Sequence, residues 1–299
     1  MLEPKINFSP GSLQALNVCL AIIMFGVALS IKPQHFYQLR HQKKALFTGL
    51  ASQYILLPLI TYLLIIILTP SPWIALGMML VAACPGGNVS NFYTMISRGN
   101  VALSVTLTAF TSLLAFVITP ASFLLWASFI PGLSSQLRQL EIQFLDLFLN
   151  MIAILLLPLI IGMAFNNRFP NAAEKISKPV RVTSILILIS FIVVTLYSNA
   201  LVFKEYIMLI FWLVMLHNGL ALGGGYALSY LFKNRNDIHR TVAIETGIQN
   251  SGLALVLIFT FFNGNGYMAL VAAWWGVWHL ISGFTVAYIF QRKSIHQLT

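Results

Sequence analysis

Residues 243–252 read AIETGIQNSG, and they set Glu245, Gln249, Asn250 and Ser251 inside a stretch that is otherwise mostly apolar from 241 to 262. A second polar interruption, CPGGNVSN at 84–91, supplies Asn88, Ser90 and Asn91. Gln53 lies in an earlier apolar run, and Ser104 and Thr108 in a later one, four apart and therefore on one helix face. A carboxylate at the centre of a bilayer costs roughly 2.5–3.5 kcal/mol on insertion scales, so Glu245 demands compensation. One carboxylate among hydroxyl, amide and backbone oxygens is the donor set of a hard cation. A single negative charge suits a monovalent ion such as sodium better than calcium, which recruits more carboxylates. Broken helices also direct positive half-helix N-termini inward, which suits an anion.

Blander readings stand beside this one. Ser and Thr within spans often only pack helices or bond back to their own helix, and for Ser104 or Thr108 alone that reading suffices. The other acids, Glu3, Glu141, Asp146, Glu174, Glu205 and Asp237, fall in loops or near span ends, where solvation is enough. Arg98 and Arg240 read as lying toward cytoplasmic ends, so no Lys or Arg at membrane depth is available to Glu245. His217 and His279 read singly as hydrogen-bonded core histidines, and no HExxH helix makes them a zinc site. Two alternatives follow: a proton-coupled carrier with Glu245 as relay, and an intramembrane hydrolase. The second lacks an acid pair and a nucleophile motif.

The elements that must hold these residues are membrane helices. Of 299 residues, 59% are hydrophobic and 8% charged, against about 25% charged in an ordinary soluble domain. Apolar runs of about 20 residues predict an all-α polytopic membrane protein with nine transmembrane helices, near 13–31, 44–68, 73–97, 100–130, 143–166, 179–198, 205–232, 238–262 and 266–291. The first reads as a retained helix rather than a cleaved signal. The net charge of +10 comes from residues scattered between spans, without the interleaved aromatics of a nucleic-acid surface. Cys19 and Cys84 read as small buried hydrophobes in different spans.

Of the 17 Lys and Arg residues, fourteen fall in one set of loops and three, Lys5, Arg138 and Lys204, in the other. By the positive-inside rule the N-terminus is outside and the C-terminus cytoplasmic. Compact loops and short tails fit a prokaryotic inner membrane. The interrupted helices are the third and eighth, which run oppositely through the membrane. That arrangement predicts inverted repeats, spans 1–4 against 6–9, with the substrate site at the breaks.

CPGGNVSNFYTMISRGNVALSVTLT (84–108), HNG (217–219), ETGIQNSGLAL (245–255) and WHLISG (278–283) together closely resemble the bile acid:sodium symporter family, over nearly the whole chain. The resemblance implies two crossing broken helices in a core domain (44–130 and 205–291), a panel domain (13–31 and 143–198), an extracellular tail at 1–12 and a cytoplasmic tail at 292–299. It implies a first sodium site at Ser90, Asn91, Ser104, Thr108 and Glu245. A second would share Glu245 and add Gln53, Gln249 and the carbonyls of Thr246 and Ile248. Asn88, Asn250, Asn218 and His279 would face or support a substrate cavity. The chain resembles the nine-helix members, since the extra first span of ten-helix relatives is missing. Leu280 stands where some relatives carry an amide. The expected activity is sodium-coupled import of an organic anion with two co-transported sodium ions. The family's substrates run from bile acids and steroid conjugates to small acids such as pantoate. No oligomeric state follows, and a monomer is compatible.

Overall fold

The structure is a computed structural model and describes residues 42–133, 156–198, 200–262 and 264–295, together with residue 152 and short runs between 14 and 29. About half of the expected span at 13–31, and almost all of the first part of that at 143–166, lies outside the described residues.

Among the described residues the chain is helical. Four helices are long and apolar enough to cross a membrane: Lys43–Leu68, Val101–Ser128, Tyr206–Leu231 and Gly266–Arg292. The first is α1 (Lys43–Ala51), a π-helical turn (Ser52–Leu56) and α2 (Leu57–Leu68) in one run. Next come α3 (Pro72–Ala83), α4 (Val89–Ile96) and α5 (Val101–Ser128). Then follow α6 (Leu157–Arg168), α7 (Pro170–Ser198) and α8 (Ala200–Leu231). The chain continues through α9 (Asn236–Gly247), α10 (Ser251–Phe261) and α11 (Gly266–Ile295).

Several boundaries differ from those read off hydropathy. The connection expected at 167–178 is itself helical: α6 ends at Arg168 and α7 starts at Pro170. Proline is preorganised for the first helical position, and the Ala, Glu and Lys that follow are good helix formers. Hydropathy registers only the apolar part of such a helix. For the same reason α11 runs to Ile295, into the expected tail, while α8 begins at Ala200 rather than 205, taking in the apolar Leu201, Val202 and Phe203 that precede Lys204.

Both broken helices break where their sequences require it. Cys84 ends α3 with φ −70° and ψ 155°, the extended conformation that a following proline imposes, and Pro85 brings no N–H to continue the ladder. In the other, Ile248 is extended at φ −106° and ψ 93°. Asn250 then restarts the helix by accepting from Leu253 N at 3.0 Å. The two breaks meet backbone to backbone through an antiparallel bridge between Gly86 and Gln249. Gly87 N donates to Ile248 O at 2.7 Å, and Asn250 N to Pro85 O at 2.9 Å. Backbone groups freed by one break are thus satisfied by the other, which membrane depth demands.

The turn between α4 and α5 is pinned to α9. Asn100 N donates to Thr241 Oγ1 at 2.7 Å, and Arg240 Nη1 to Ser97 O at 2.9 Å. Ser97 is the C-cap of α4, where the helix dipole favours a cation. The main hydrophobic core, with Met78, Met79 and Trp275 fully buried, packs α3, α10 and α11 together.

Candidate functional site

Glu245, on the last turn of α9, is 3% exposed. Its carboxylate receives hydroxyls from two other helices. Ser90 on the first turn of α4 donates to Oε1 at 2.5 Å. Ser104 on α5 also donates to Oε1. Thr108, one turn further along α5, lies 3.0 Å from Oε2 and 3.3 Å from Oε1. Asn91 joins through its Oδ1, 2.8 Å from Ser104 Oγ. Neither Ser104 nor Thr108 is the helix packer that each alone would suggest. Among the described residues the ion pair is Arg235 with Asp237, and no Lys or Arg reaches Glu245.

Such an arrangement can hold a cation. Each hydroxyl has two lone pairs besides its proton, and the Asn91 oxygen is an acceptor. The cluster therefore offers one formal negative charge and several neutral oxygens, with α4 starting beside it.

A second polar cluster lies at the C-terminal end of α9. Gln53, in the π turn, donates from Nε2 to Gln249 Oε1 at 2.7 Å and to Cys84 O at 3.0 Å. Gln249 Nε2 in turn reaches Thr246 O at 2.8 Å and Glu245 O at 3.4 Å. The Ile248 carbonyl accepts from Gly87. Gln53, Gln249, Thr246 and Ile248 are thus together, around the carbonyls of the broken α9.

Sequence reasoning missed Ser52, whose Oγ lies 2.6 Å from Thr246 Oγ1. Thr246 donates onward to Val242 O at 2.7 Å, so Ser52 is the donor of that pair. The π turn brings two consecutive residues, Ser52 and Gln53, against Thr246 and Gln249 at the second break, and such turns are frequent at functional sites. Nothing in the residue types announces it.

The four remaining candidates are placed differently from one another. Asn88, half-buried, occupies the N-cap of α4 without a capping bond. Asn250 caps α10. Asn218 is fully buried and engaged at both ends, donating to Gly247 O at 2.7 Å and accepting from Ser282 Oγ at 2.6 Å. It ties α8 and α11 to the end of α9, and Ser282 is a partner that sequence reasoning did not find. His279 is buried, and its Nδ1 has no hydrogen-bond partner among the described residues. His217 belongs elsewhere: its Nε2 meets Thr61 Oγ1 at 2.7 Å and its ring packs on Trp275. Replacing Asn218 by leucine strands the buried Gly247 carbonyl, worth roughly 1–3 kcal/mol when unpaired, and takes the partner from the half-buried Ser282 hydroxyl. A clear fall in thermal stability is expected, and an unchanged midpoint would show that these bonds carry no weight.

Residues 17–206 match the Sodium Bile acid symporter family. The chain belongs to that family. YocS of Bacillus subtilis (strain 168), named an uncharacterized sodium-dependent transporter, is 31% identical over 93% of this chain and 83% of its own length. BASS1, a chloroplastic protein of Arabidopsis thaliana named for sodium/metabolite cotransport, is 32% identical over 94% of this chain and 68% of its own. The sodium-dependent organic anion transporter of Bos taurus is 26% identical over 92% and 73% respectively. This symporter-family chain is accordingly an integral, multi-pass membrane protein of sodium-dependent transport and not an enzyme. The intramembrane hydrolase is set aside.

Proposed function

We propose that the protein imports an organic anion by coupling it to two sodium ions. The observation that carries this is the convergence of Ser90, Ser104 and Thr108 on buried Glu245 beside the meeting point of the two breaks. Ser90, Asn91, Ser104, Thr108 and Glu245 would hold one ion. Gln53, Gln249, Glu245 and the Thr246 and Ile248 carbonyls would hold the other, after the Gln53–Gln249 bond opens. Asn88, Asn250 and His279 would meet the substrate, with Asn218 supporting the break from behind. The similarity to the bovine organic anion transporter supports the substrate class.

The frame proposed for this is nine spans in inverted repeats. The core at 44–130 and 205–291 moves against a panel at 13–31 and 143–198 to give alternating access. The N-terminus lies outside and the C-terminus in the cytoplasm, in a prokaryotic inner membrane.

Two sodium ions suffice energetically. With a potential of about 100 mV each ion supplies about 2.3 kcal/mol, and a tenfold gradient adds about 1.4. Moving a monoanion against the potential costs about 2.3, leaving on the order of 5 kcal/mol, enough for several-thousand-fold accumulation.

The test is uptake of bile acids, steroid sulfates and pantoate into proteoliposomes, driven by sodium or by acid outside pH. Saturable uptake that rises sigmoidally with sodium and is not restored by acid is expected. Acid replacing sodium would instead favour the proton-coupled carrier. Gln53→Ala should turn the sigmoidal sodium response hyperbolic by removing one of two ions. A hyperbolic response in the wild type contradicts two coupled ions.

A further inference from the structure

One edge of the fold carries a cationic cluster that the ion site does not use. Lys43 and Lys44 open α1, whose first turn holds no acid. The turn from α8 to α9 folds back onto them: Lys44 Nζ donates to Lys233 O at 3.3 Å, and Asn234 Nδ2 to Thr48 Oγ1 at 3.1 Å. Lys233 takes the left-handed conformation, φ 51°, that reverses the chain there. All three lysines are exposed. The carboxylate of the same turn, Asp237, is engaged by Arg235 at 3.2 Å. Three ammonium groups therefore sit along one edge without an ion pair among the described residues.

The surface next to them is apolar and open. The rings of Phe47 and Phe232 meet at 6.1 Å while remaining 59% and 37% exposed. Exposed side chains continue down the same helix at Ile55, Leu59 and Leu63, which are 58%, 38% and 48% exposed. Their spacing of four sets them on one flank. The run is long and apolar enough to cross a membrane, which would set that flank against acyl chains.

We propose that this edge seats an anionic phospholipid such as phosphatidylglycerol, its phosphate among Lys43, Lys44 and Lys233 and its chains along Phe47, Phe232 and Ile55. Charge complementarity selects the occupant: clustered basic residues at the end of a span attract anionic headgroups, and aromatic side chains favour the same interfacial depth. The seat spans two elements. One is the helix that continues into Gln53, and the other is the turn that leads into α9 and Glu245, so a bound lipid would clip together both carriers of the polar clusters. The proposal requires neither the sodium assignment nor the orientation of the chain, because the seat belongs to whichever leaflet the basic loops meet.

The test uses the full chain in phosphatidylcholine nanodiscs, with phosphatidylglycerol titrated in and retained lipid counted by native mass spectrometry, in sodium-free buffer. Lys43→Gln/Lys44→Gln/Lys233→Gln is compared with Lys175→Gln/Lys178→Gln/Arg98→Gln, which removes equal charge from exposed positions elsewhere. Single Lys43→Gln serves should the first triple variant fold poorly. Phosphatidylglycerol affinity should drop roughly fivefold for each lysine of the cluster removed and stay near wild type in the comparison variant. Equal losses in both triple variants would reduce the effect to diffuse attraction, and undiminished binding in the cluster variant would remove the site; either result overturns the proposal.

Discussion

Glu245→Ala should reduce sodium-driven uptake to background while leaving the protein folded. Both proposed ion sites draw their formal charge from this carboxylate, and its oxygens are the hub for Ser90, Ser104 and Thr108. Removing one member of a buried charge pair costs about 3–5 kcal/mol, so sodium affinity should fall at least a hundredfold. Glu245→Asp keeps the charge and withdraws it by one methylene. That variant should still respond to sodium, at higher concentrations. Wild-type sodium stimulation in Glu245→Ala would remove the ion site from the crossing.

The second large effect is expected at the crossing itself. A Cβ on Gly87 would stand 3.0 Å from the Gln249 carbonyl oxygen, a backbone atom held by the bridge between the breaks and unable to swing aside. Gly87→Val should therefore part the two breaks, destabilise the protein by about 1–3 kcal/mol and lower uptake by more than the loss of folded protein accounts for. Uptake suffers because Ser90 and Glu245 lie on opposite sides of that bridge. Gly223, on α8, is the control, since a Cβ there meets nothing within 4 Å. Gly223→Ala should not destabilise the protein, and helix propensity should raise its stability by up to about 1 kcal/mol. Equal behaviour of the two variants would show that close approach of the breaks is not needed.

The places where the helices break were legible because the chemistry of breaking is local. Pro85, Gly86 and Gly87 in one and Gly247 with Asn250 in the other declare themselves by residue type. That the breaks meet is tertiary, and the amino-acid order suggested it only through topology and family resemblance. Ser104 and Thr108 illustrate the boundary between the two kinds of information. Their spacing of four settles that they share a face, but not whether that face turns inward or bonds back on itself. The π turn at Ser52–Leu56 was not legible at all, because its extra residue has no compositional mark, and Ser52 was missed with it. Asn218 is the converse case. An amide within a span announces a polar role, yet only the packed structure reveals that Gly247 and Ser282 take up both of its ends. The helical stretch at 170–178 escaped because the hydropathy of a span says nothing about how far its helix extends into water.

The most direct test of the central claim is the thermal stability of the purified protein against sodium, with potassium at equal ionic strength and Glu245→Ala alongside. A ligand that binds only the folded state stabilises it by mass action, by about 2.7 kcal/mol at a hundred times its dissociation constant. The midpoint should rise in sodium, and should stay put in potassium and in Glu245→Ala. A midpoint that sodium leaves unmoved in the wild type, or moves equally in the variant, would contradict a sodium site built on Glu245.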